Sequence, residues 1–180
     1  MRTDSDRGEI ILLSGPPGAG KSTVARALAA ASDGAVACIE GDTFWPFIVK
    51  GLGGGRATRQ NGAIMVRSML LAALPYARGG FRVIVDFSIG PWSLGWFRER
   101  FRDICVHYVV LCPSEAVCAA RAATRRDGAV ADCTGFRELH TAFCALGELE
   151  RCAIRNDTAK PAALVEHLQT ALPAGAYRLD

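Results

Sequence analysis

The sequence lacks any apolar run that approaches the roughly 20 residues needed to cross a bilayer. Its residues 1–8 are polar and charged, without the apolar segment of a secretory signal peptide. It also lacks an excess of charge, since 21 basic residues stand against 18 acidic ones and the net charge is +3. So balanced a charge predicts neither a nucleic-acid nor a membrane partner. We therefore expect a cytoplasmic protein in which residues 1–8 form a flexible N-terminus.

The seven cysteines form no CxxC pair, and no histidine follows them at the spacing of metal ligands. Their number is odd, and they are scattered through segments that we predict to be strands and helices. This distribution favours reduced, buried thiols over a disulfide framework.

Strand-like and helix-like segments alternate along the chain. Short apolar or β-branched runs predict strands at residues 9–14, 35–40, 81–86, 105–111 and 151–155. Composition and helical spacing predict helices at residues 21–31, 42–50, 58–77, 91–101, 113–126, 135–150 and 161–172. Because parallel neighbours require crossover connections, this order predicts an α/β fold, a five-stranded parallel sheet with helices on both faces. With no internal repeat or linker, we expect a single domain over residues 9–180.

The most specific motif is GPPGAGKST at residues 15–23, between the first predicted strand and the first helix. Its glycines permit the dihedrals that turn successive backbone N–H groups toward phosphates, and the following helix adds its positive end. Lys21 would place its charge on the β- and γ-phosphates, and the Ser22 hydroxyl would be a ligand of Mg²⁺. The motif predicts a nucleotide site formed by Gly15, Pro16, Pro17, Gly18, Ala19, Gly20, Lys21, Ser22 and Thr23.

Two carboxylates follow predicted strands. Asp86 ends the run VIVD, which is the form of an acidic residue that holds Mg²⁺ through water beside a phosphate loop. Its other interpretation is a residue that begins a turn or caps the next helix. Asp42 follows the second strand, where ligands of an open parallel sheet collect, and could act as the catalytic base toward a hydroxyl. Alternatively, it is the N-cap of a helix that begins at Thr43.

Basic and aromatic residues supply further candidates. Arg121, Arg125 and Arg126 end the helix before a polar loop at residues 127–133, and one of them could stabilise charge during phosphoryl transfer. A solvated helix end is the alternative. Aromatic residues follow both carboxylates and either line an acceptor pocket or pack in the core; they are Phe44, Trp45, Phe47, Trp92 and Trp96.

With GPPGAGKST set in this order of elements, the chain resembles the small P-loop kinases of the shikimate, gluconate and nucleoside-monophosphate kinase class. Within that class it is most similar to the chloramphenicol-phosphotransferase-like and related AAA-type single-domain kinases. The resemblance implies a three-layer P-loop NTPase fold with strand order 2-3-1-4-5 and a small lid. It also implies in-line transfer from ATP and Mg²⁺ to a small-molecule hydroxyl.

The resemblance assigns roles to particular positions. It places Asp42 at the acceptor and Arg121, Arg125 and Arg126 near the lid. It places the adenine-contacting loop after the fifth strand, at Asn156, Asp157 and Thr158.

The resulting hypothesis is an ATP-dependent kinase that phosphorylates a hydroxyl of a small molecule. The sequence does not identify this acceptor, which could be an antibiotic, a sugar acid or a nucleoside-like compound. We expect a monomer or a small homo-oligomer. The alternative is a P-loop ATPase or nucleotide switch that acts on a protein partner. A growth-inhibiting kinase of the zeta-toxin type would share the chemistry of the first hypothesis.

Overall fold

The computed structural model describes residues 8–51, 59–97, 100–123 and 134–179. Its strands form one five-stranded sheet in the order β2-β3-β1-β4-β5, and every neighbouring pair is parallel. The strands are β1 Glu9–Ser14, β2 Val36–Glu40, β3 Arg82–Asp86, β4 Cys105–Leu111 and β5 Ala153–Ile154. Sheet order, strand direction and fold class confirm the sequence prediction of a P-loop NTPase fold.

The central strand β1 explains why the sheet forms from these segments. Its residues Ile10, Ile11, Leu12 and Leu13 are completely buried between β3 and β4. Such a continuous apolar run is typical of a parallel strand that is covered on both faces. The register aligns Leu13 of β1 with Asp86 of β3, and Asp86 in turn with Glu40 of β2. The carboxylates of Glu40 and Asp86 therefore lie side by side at the C-terminal ends of two adjacent parallel strands.

Helices surround the sheet, and α1 packs against α6 while α2 packs against β3. Their bounds are α1 Lys21–Ala30, α2 Arg59–Arg78, α3 Leu94–Phe97, α4 Glu115–Ala123, α5 Thr134–Cys144 and α6 Pro161–Ala171. No helix within the described part of the chain is long and apolar enough to span a bilayer. The predicted lid at residues 127–133 lies outside the described residues.

Two predicted helices differ from the structure because local residues interrupt them. The segment predicted as a helix at residues 42–50 is a 3-10 helix, Gly41–Phe47, which contains Pro46. Proline lacks an N–H donor and so does not support the regular α-helical ladder. The helix predicted at residues 135–150 ends at Cys144, and a 3-10 helix follows at Gly147–Cys152.

The helix boundaries around Pro91 and Pro113 also differ. A 3-10 turn, Pro91–Ser93, and the four-residue α3 replace most of the helix predicted at residues 91–101. The helix predicted from Pro113 begins at Glu115 instead.

The C-terminal segment completes the edge of β4, which sequence patterns did not predict. The two-residue β5 pairs only with the end of β4, at Val110 and Leu111. Further back along β4, the backbone N–H of Tyr108 donates to the carbonyl of Tyr177 at 2.8 Å. The N–H of Leu179 donates to the carbonyl of Val106 at 2.8 Å. This antiparallel contact satisfies backbone groups that the short β5 does not reach.

Candidate functional site

The loop between β1 and α1 has the conformation that its glycines predict. The φ angles of Gly15 and Gly18 are 136° and 79°, which side-chain-bearing residues rarely adopt. A Cβ at Gly15 would lie 2.1 Å from the carbonyl oxygen of Leu111, and one at Gly18 would lie 2.3 Å from that of Cys118. Both positions therefore require glycine for dihedral freedom and for space, and Gly20 forms the left-handed N-cap of α1.

Lys21 lies across this loop as the first residue of α1. Its Nζ donates hydrogen bonds to the carbonyl oxygens of Gly15 and Pro16, each at 3.0 Å. The first turn of α1 contains no acidic residue, so the positive end of the helix is not neutralised from within. Ammonium and helix N-terminus together form a site suited to an anion.

A network of hydroxyl groups fixes the phosphate loop to the loop after β3. Ser14 Oγ donates to the Ile89 carbonyl and accepts from the Ile89 N–H, both at 2.8 Å. Ser88 Oγ donates to the Gly15 carbonyl at 2.9 Å, and the Tyr108 hydroxyl donates to the Ile89 carbonyl at 2.7 Å. Burial raises the pKa of Tyr108, so this donor stays neutral. Sequence reasoning missed this network, whose only signal is the serine that ends the apolar run of β1.

Asp86 is buried at the end of β3, with 6% of its surface exposed. Burial raises the pKa of Asp86 most strongly, against a hydrogen bond with Ser22 and the charge of Lys21, which both lower it. The nearby carboxylates Asp42 and Glu40 raise the pKa of Asp86 further. The structure thus brings Lys21, Ser22 and Asp86 together with Asp42 nearby. The capping alternative for Asp86 is wrong, since Gly90 is the N-cap of the next helical turn.

Asp42 lies exposed in the first turn of the 3-10 helix that follows β2. Glu40 is the N-cap of that helix, so the interpretation of Asp42 as an N-cap is wrong. Thr43 Oγ1 donates to the Glu40 carbonyl at 2.6 Å, and buried Trp45 packs against Phe87 with ring centroids 6.3 Å apart. These contacts anchor the segment and leave the Asp42 carboxylate open to solvent.

The loop after β5 contacts both the phosphate loop and α4. Asn156 is buried, and its Nδ2 donates to the Ala19 carbonyl at 2.9 Å. Arg121 Nη2 donates to the carbonyls of Asn156 and Asp157, at 3.3 and 3.1 Å. The Ser114 N–H donates to Asp157 Oδ1 at 3.0 Å, and hydrogen bonding with Ser114 lowers the pKa of Asp157. Arg121 therefore holds the backbone of this loop.

The remaining arginine and threonine candidates are less informative. Arg125 and Arg126 lie outside the described residues. Thr158 is exposed at the end of the same loop.

The aromatic candidates divide between core and surface. Trp45 is a core residue, as its contact with Phe87 shows, whereas Phe47 and Trp92 are 77% and 57% exposed. Trp92 packs on the buried ring of Phe143, with centroids 6.2 Å apart. Trp45 therefore belongs to the core, whereas Trp92 lies at the surface.

Sequence spacing also failed to identify a group of potential metal ligands, Cys112, His140 and Cys144. The imidazole of His140, for which the sequence suggested no partner, lies 2.8 Å from the Pro113 carbonyl oxygen. Cys112 is far along the chain from His140 and Cys144, so only the fold brings the three residues together.

The model of the AAA domain family matches residues 10–135, well over half of the chain. The chain belongs to this AAA domain family. Together with the sheet order and the geometry of the loop, this membership confirms the resemblance to small P-loop kinases. No curated protein sequence matches the chain.

Solved structures of similar fold include two kinases and a resistance protein. The Mycobacterium tuberculosis APS kinase in complex with AMPPNP and APS matches with a TM-score of 0.71 and 18% identity, over 93% of this chain and 98% of that one. A Sinorhizobium meliloti gluconokinase matches with a TM-score of 0.64 and 24% identity, over 95% and 94%. The Deinococcus radiodurans tunicamycin resistance protein matches with a TM-score of 0.63 and 20% identity, over 97% and 99%. At these identities the likeness shows the shared fold.

Proposed function

We propose that this AAA-domain chain is an ATP-dependent phosphotransferase that moves the γ-phosphoryl group to a hydroxyl of a small molecule. The observation that carries the proposal is the buried carboxylate of Asp86, whose pKa is lowered by Ser22 and Lys21 of the phosphate loop and raised by Asp42. In-line phosphoryl transfer needs groups for the phosphates, the metal and the attacking hydroxyl. These side chains would supply all of these groups at the C-terminal ends of the strands.

The nucleotide would lie between the phosphate loop and the loop after β5. Backbone N–H groups of residues 15–23 and the Lys21 ammonium would bind the phosphates. Asn156, Asp157 and Thr158 would contact the base, and the hydrogen bonds from Arg121 to this loop support a role for Arg121 in holding it. Asn156 Oδ1 is buried without a hydrogen-bond partner among the described atoms, which leaves an acceptor for a ligand donor. A catalytic role for Arg125 remains a prediction.

Mg²⁺ would be held by the Ser22 hydroxyl, with Asp86 in support through water. A hydroxyl and a carboxylate are hard oxygen donors of the kind this ion prefers, so the donor set fits. When bound, Mg²⁺ neutralises charge that develops on the phosphate oxygens. The burial of Asp86 at the end of β3 limits the positions that its carboxylate can take.

Asp42 would orient the attacking hydroxyl and accept its proton. Its carboxylate is exposed, and the buried ring of Trp45 anchors the segment that carries it, so an acceptor can reach a carboxylate held in place. Proteins of similar fold include a gluconokinase and an APS kinase, and these names support a small-molecule acceptor without fixing which one. We infer that the acceptor is an antibiotic, a sugar acid or a nucleoside-like compound. We further infer a cytoplasmic protein, a monomer or small homo-oligomer, whose single domain spans residues 9–180.

The proposal is tested by ADP formation from ATP and Mg²⁺ across a panel of sugars, sugar acids, nucleosides and antibiotics. At least one compound should accelerate ADP formation. With that compound, Asp42→Asn should lower turnover by about 100-fold or more, the usual contribution of a general base, and leave ATP affinity close to that of the unaltered chain. The matched control is Asp33→Asn, because Asp33 is exposed in the connection from α1 to β2, at the opposite edge of the sheet.

Two results would contradict the proposal. Equal turnover of Asp42→Asn and the unaltered chain would remove Asp42 from the mechanism. If no compound accelerates ADP formation and a protein partner does, the chain is a nucleotide switch instead.

A further inference from the structure

A cluster of metal-ligand side chains lies outside the proposed nucleotide site. Cys112 follows β4 directly, and His140 and Cys144 lie four residues apart on α5, so they share one helix face. One potential ligand atom from each residue, a sulfur or an imidazole nitrogen, lies within 4.8 Å of the others. Cys112 and His140 are buried, and Cys144 is partly buried. The fold therefore gathers two thiols and one imidazole in a sheltered position.

The distances within the cluster are close to those of a tetrahedral zinc site. Zinc binds cysteine sulfur at about 2.3 Å and histidine nitrogen at about 2.0 Å. Tetrahedral angles then separate a sulfur from a nitrogen by about 3.5 Å, and two sulfurs by about 3.8 Å. Cys144 Sγ lies 3.8 Å from both His140 Nδ1 and His140 Nε2. Small side-chain adjustments would bring the three ligands to an ion.

The contacts around His140 select the nitrogen that would bind the ion. His140 Nε2 lies 2.8 Å from the Pro113 carbonyl oxygen. A carbonyl only accepts, so Nε2 carries the hydrogen and Nδ1 retains its lone pair. Histidines that bind metals commonly donate their other ring N–H to a carbonyl in this way, which fixes the tautomer and the orientation of the ring.

Arg155 also makes a hydrogen bond to a ligand residue from outside the cluster, because its Nη1 donates to Cys112 Sγ at 3.3 Å. Its Nη2 is paired with Glu150 at 2.5 Å, which holds the guanidinium in place. This hydrogen bond orients the sulfur of Cys112, as the outer-shell partners of metal ligands commonly do.

We propose that Cys112, His140 and Cys144 bind Zn²⁺ through three protein ligands, with a solvent molecule as the fourth ligand. The ion would join α5 to the end of β4. Leu111, the residue before Cys112, places its carbonyl oxygen against Gly15 of the phosphate loop. Zinc would therefore stabilise the end of β4, which packs against the phosphate loop. The proposal is independent of phosphoryl transfer, since it rests on side chains that the nucleotide site does not use.

A Cys112–Cys144 disulfide is the competing use of the same thiols. Both cysteines are free in the structure. Reactive thiols are typically accessible, whereas Cys112 is only 1% exposed. A disulfide would also make no use of the oriented His140 Nδ1, so the geometry favours the metal.

The test measures zinc by elemental analysis in the full chain purified under reducing conditions, and then titrates the metal-free protein with Co²⁺. We expect one zinc per chain and, with Co²⁺, the charge-transfer absorption of a cobalt–thiolate site. In Cys144→Ser, zinc affinity should fall by about 100-fold or more, since even outer-shell losses cost about 10- to 100-fold. The matched control is Cys152→Ser, which alters a buried cysteine outside the cluster and should keep the zinc.

A second measurement keeps the test decisive if a variant folds poorly. A strong chelator should lower the melting temperature of the unaltered chain and of Cys152→Ser, because an ion bound only to the folded state stabilises it. The melting temperature of Cys144→Ser should not respond. Absence of zinc together with absence of the cobalt–thiolate band would overturn the proposal. So would unchanged zinc affinity in Cys144→Ser, or a Cys112–Cys144 disulfide found by mass spectrometry as the stable form in reducing buffer.

Discussion

The conformation of the phosphate loop makes a quantitative prediction about Gly18. Gly18 and Gly34 have the same φ of 79°. They differ in their surroundings, because a Cβ at Gly18 would lie 2.3 Å from the Cys118 carbonyl oxygen, whereas one at Gly34 would meet nothing within 4 Å. Gly34→Ala therefore measures dihedral strain alone, and Gly18→Ala measures the same strain with a steric clash added.

The two costs follow from the structure. Left-handed dihedrals cost a residue with a Cβ about 1–2 kcal/mol, and this cost is common to both variants. The loss of unfolded-state entropy on replacing glycine is also common to both, so it cancels in the comparison. Forcing an atom into a packed site costs about a further 1–3 kcal/mol. Gly18→Ala should therefore lower the free energy of unfolding by about 1–3 kcal/mol more than Gly34→Ala does.

Urea unfolding of both variants and of the unaltered chain measures this difference, and calorimetric titration with ATP measures its effect on binding. Gly18→Ala should also weaken ATP binding, because the clash displaces the backbone N–H groups that face the phosphates. Gly34→Ala should bind ATP as the unaltered chain does. Equal destabilisation by both variants would refute the close packing of Gly18 against α4.

Three further predictions test the surroundings of this loop. Because the pKa of Asp86 is raised above its ordinary value of 3.8, the unaltered chain should lose stability relative to Asp86→Asn as the pH rises from 3.8 through the folded-state pKa. Urea unfolding against pH measures this, and a pH-independent difference would contradict it. Tyr108→Phe removes the donor to the Ile89 carbonyl and should cost about 1 kcal/mol in urea unfolding, whereas an unchanged midpoint would exclude the contact. Asn156→Asp keeps the side-chain shape but replaces the donor to the Ala19 carbonyl with a carboxylate oxygen. It should weaken ATP binding in titration, and equal affinity would argue against the proposed base loop.

Elements with strong local signals were predicted closely. The bounds of β1 and β4 agree with prediction to the residue, because each is an apolar run with a marked end. The phosphate loop was predictable for a similar reason, since its dihedrals and close contacts require glycine at fixed positions. The end of α5 was missed because apolar spacing continues past Cys144. Gly147, with a φ of 58°, starts a separate turn there.

Features that depend on contacts between distant segments could not be predicted from local patterns. The Ser14–Ile89 hydrogen bonds join the end of β1 to the loop after β3, and their form depends on the conformation of that loop. Asp42 and Asp86 could be placed at neighbouring strand ends from the sheet order, but only burial distinguishes the exposed Asp42 from the buried Asp86. Arg121 was predicted as a candidate to stabilise charge during phosphoryl transfer, but its hydrogen bonds to the loop after β5 could not be predicted from the sequence. That packing is a property of the fold.

The fate of the γ-phosphoryl group tests the central claim most directly. ATP with an isotopically labelled γ-phosphate, Mg²⁺ and the accelerating hydroxyl compound would be incubated with the unaltered chain, Asp42→Asn or Asp33→Asn. Mass spectrometry would then divide the label between phosphorylated compound and free phosphate. We predict that the label enters the compound with the unaltered chain and Asp33→Asn, and enters it far more slowly with Asp42→Asn. Label found only in free phosphate, at the same rate in all three proteins, would contradict the assignment of this chain as a phosphotransferase.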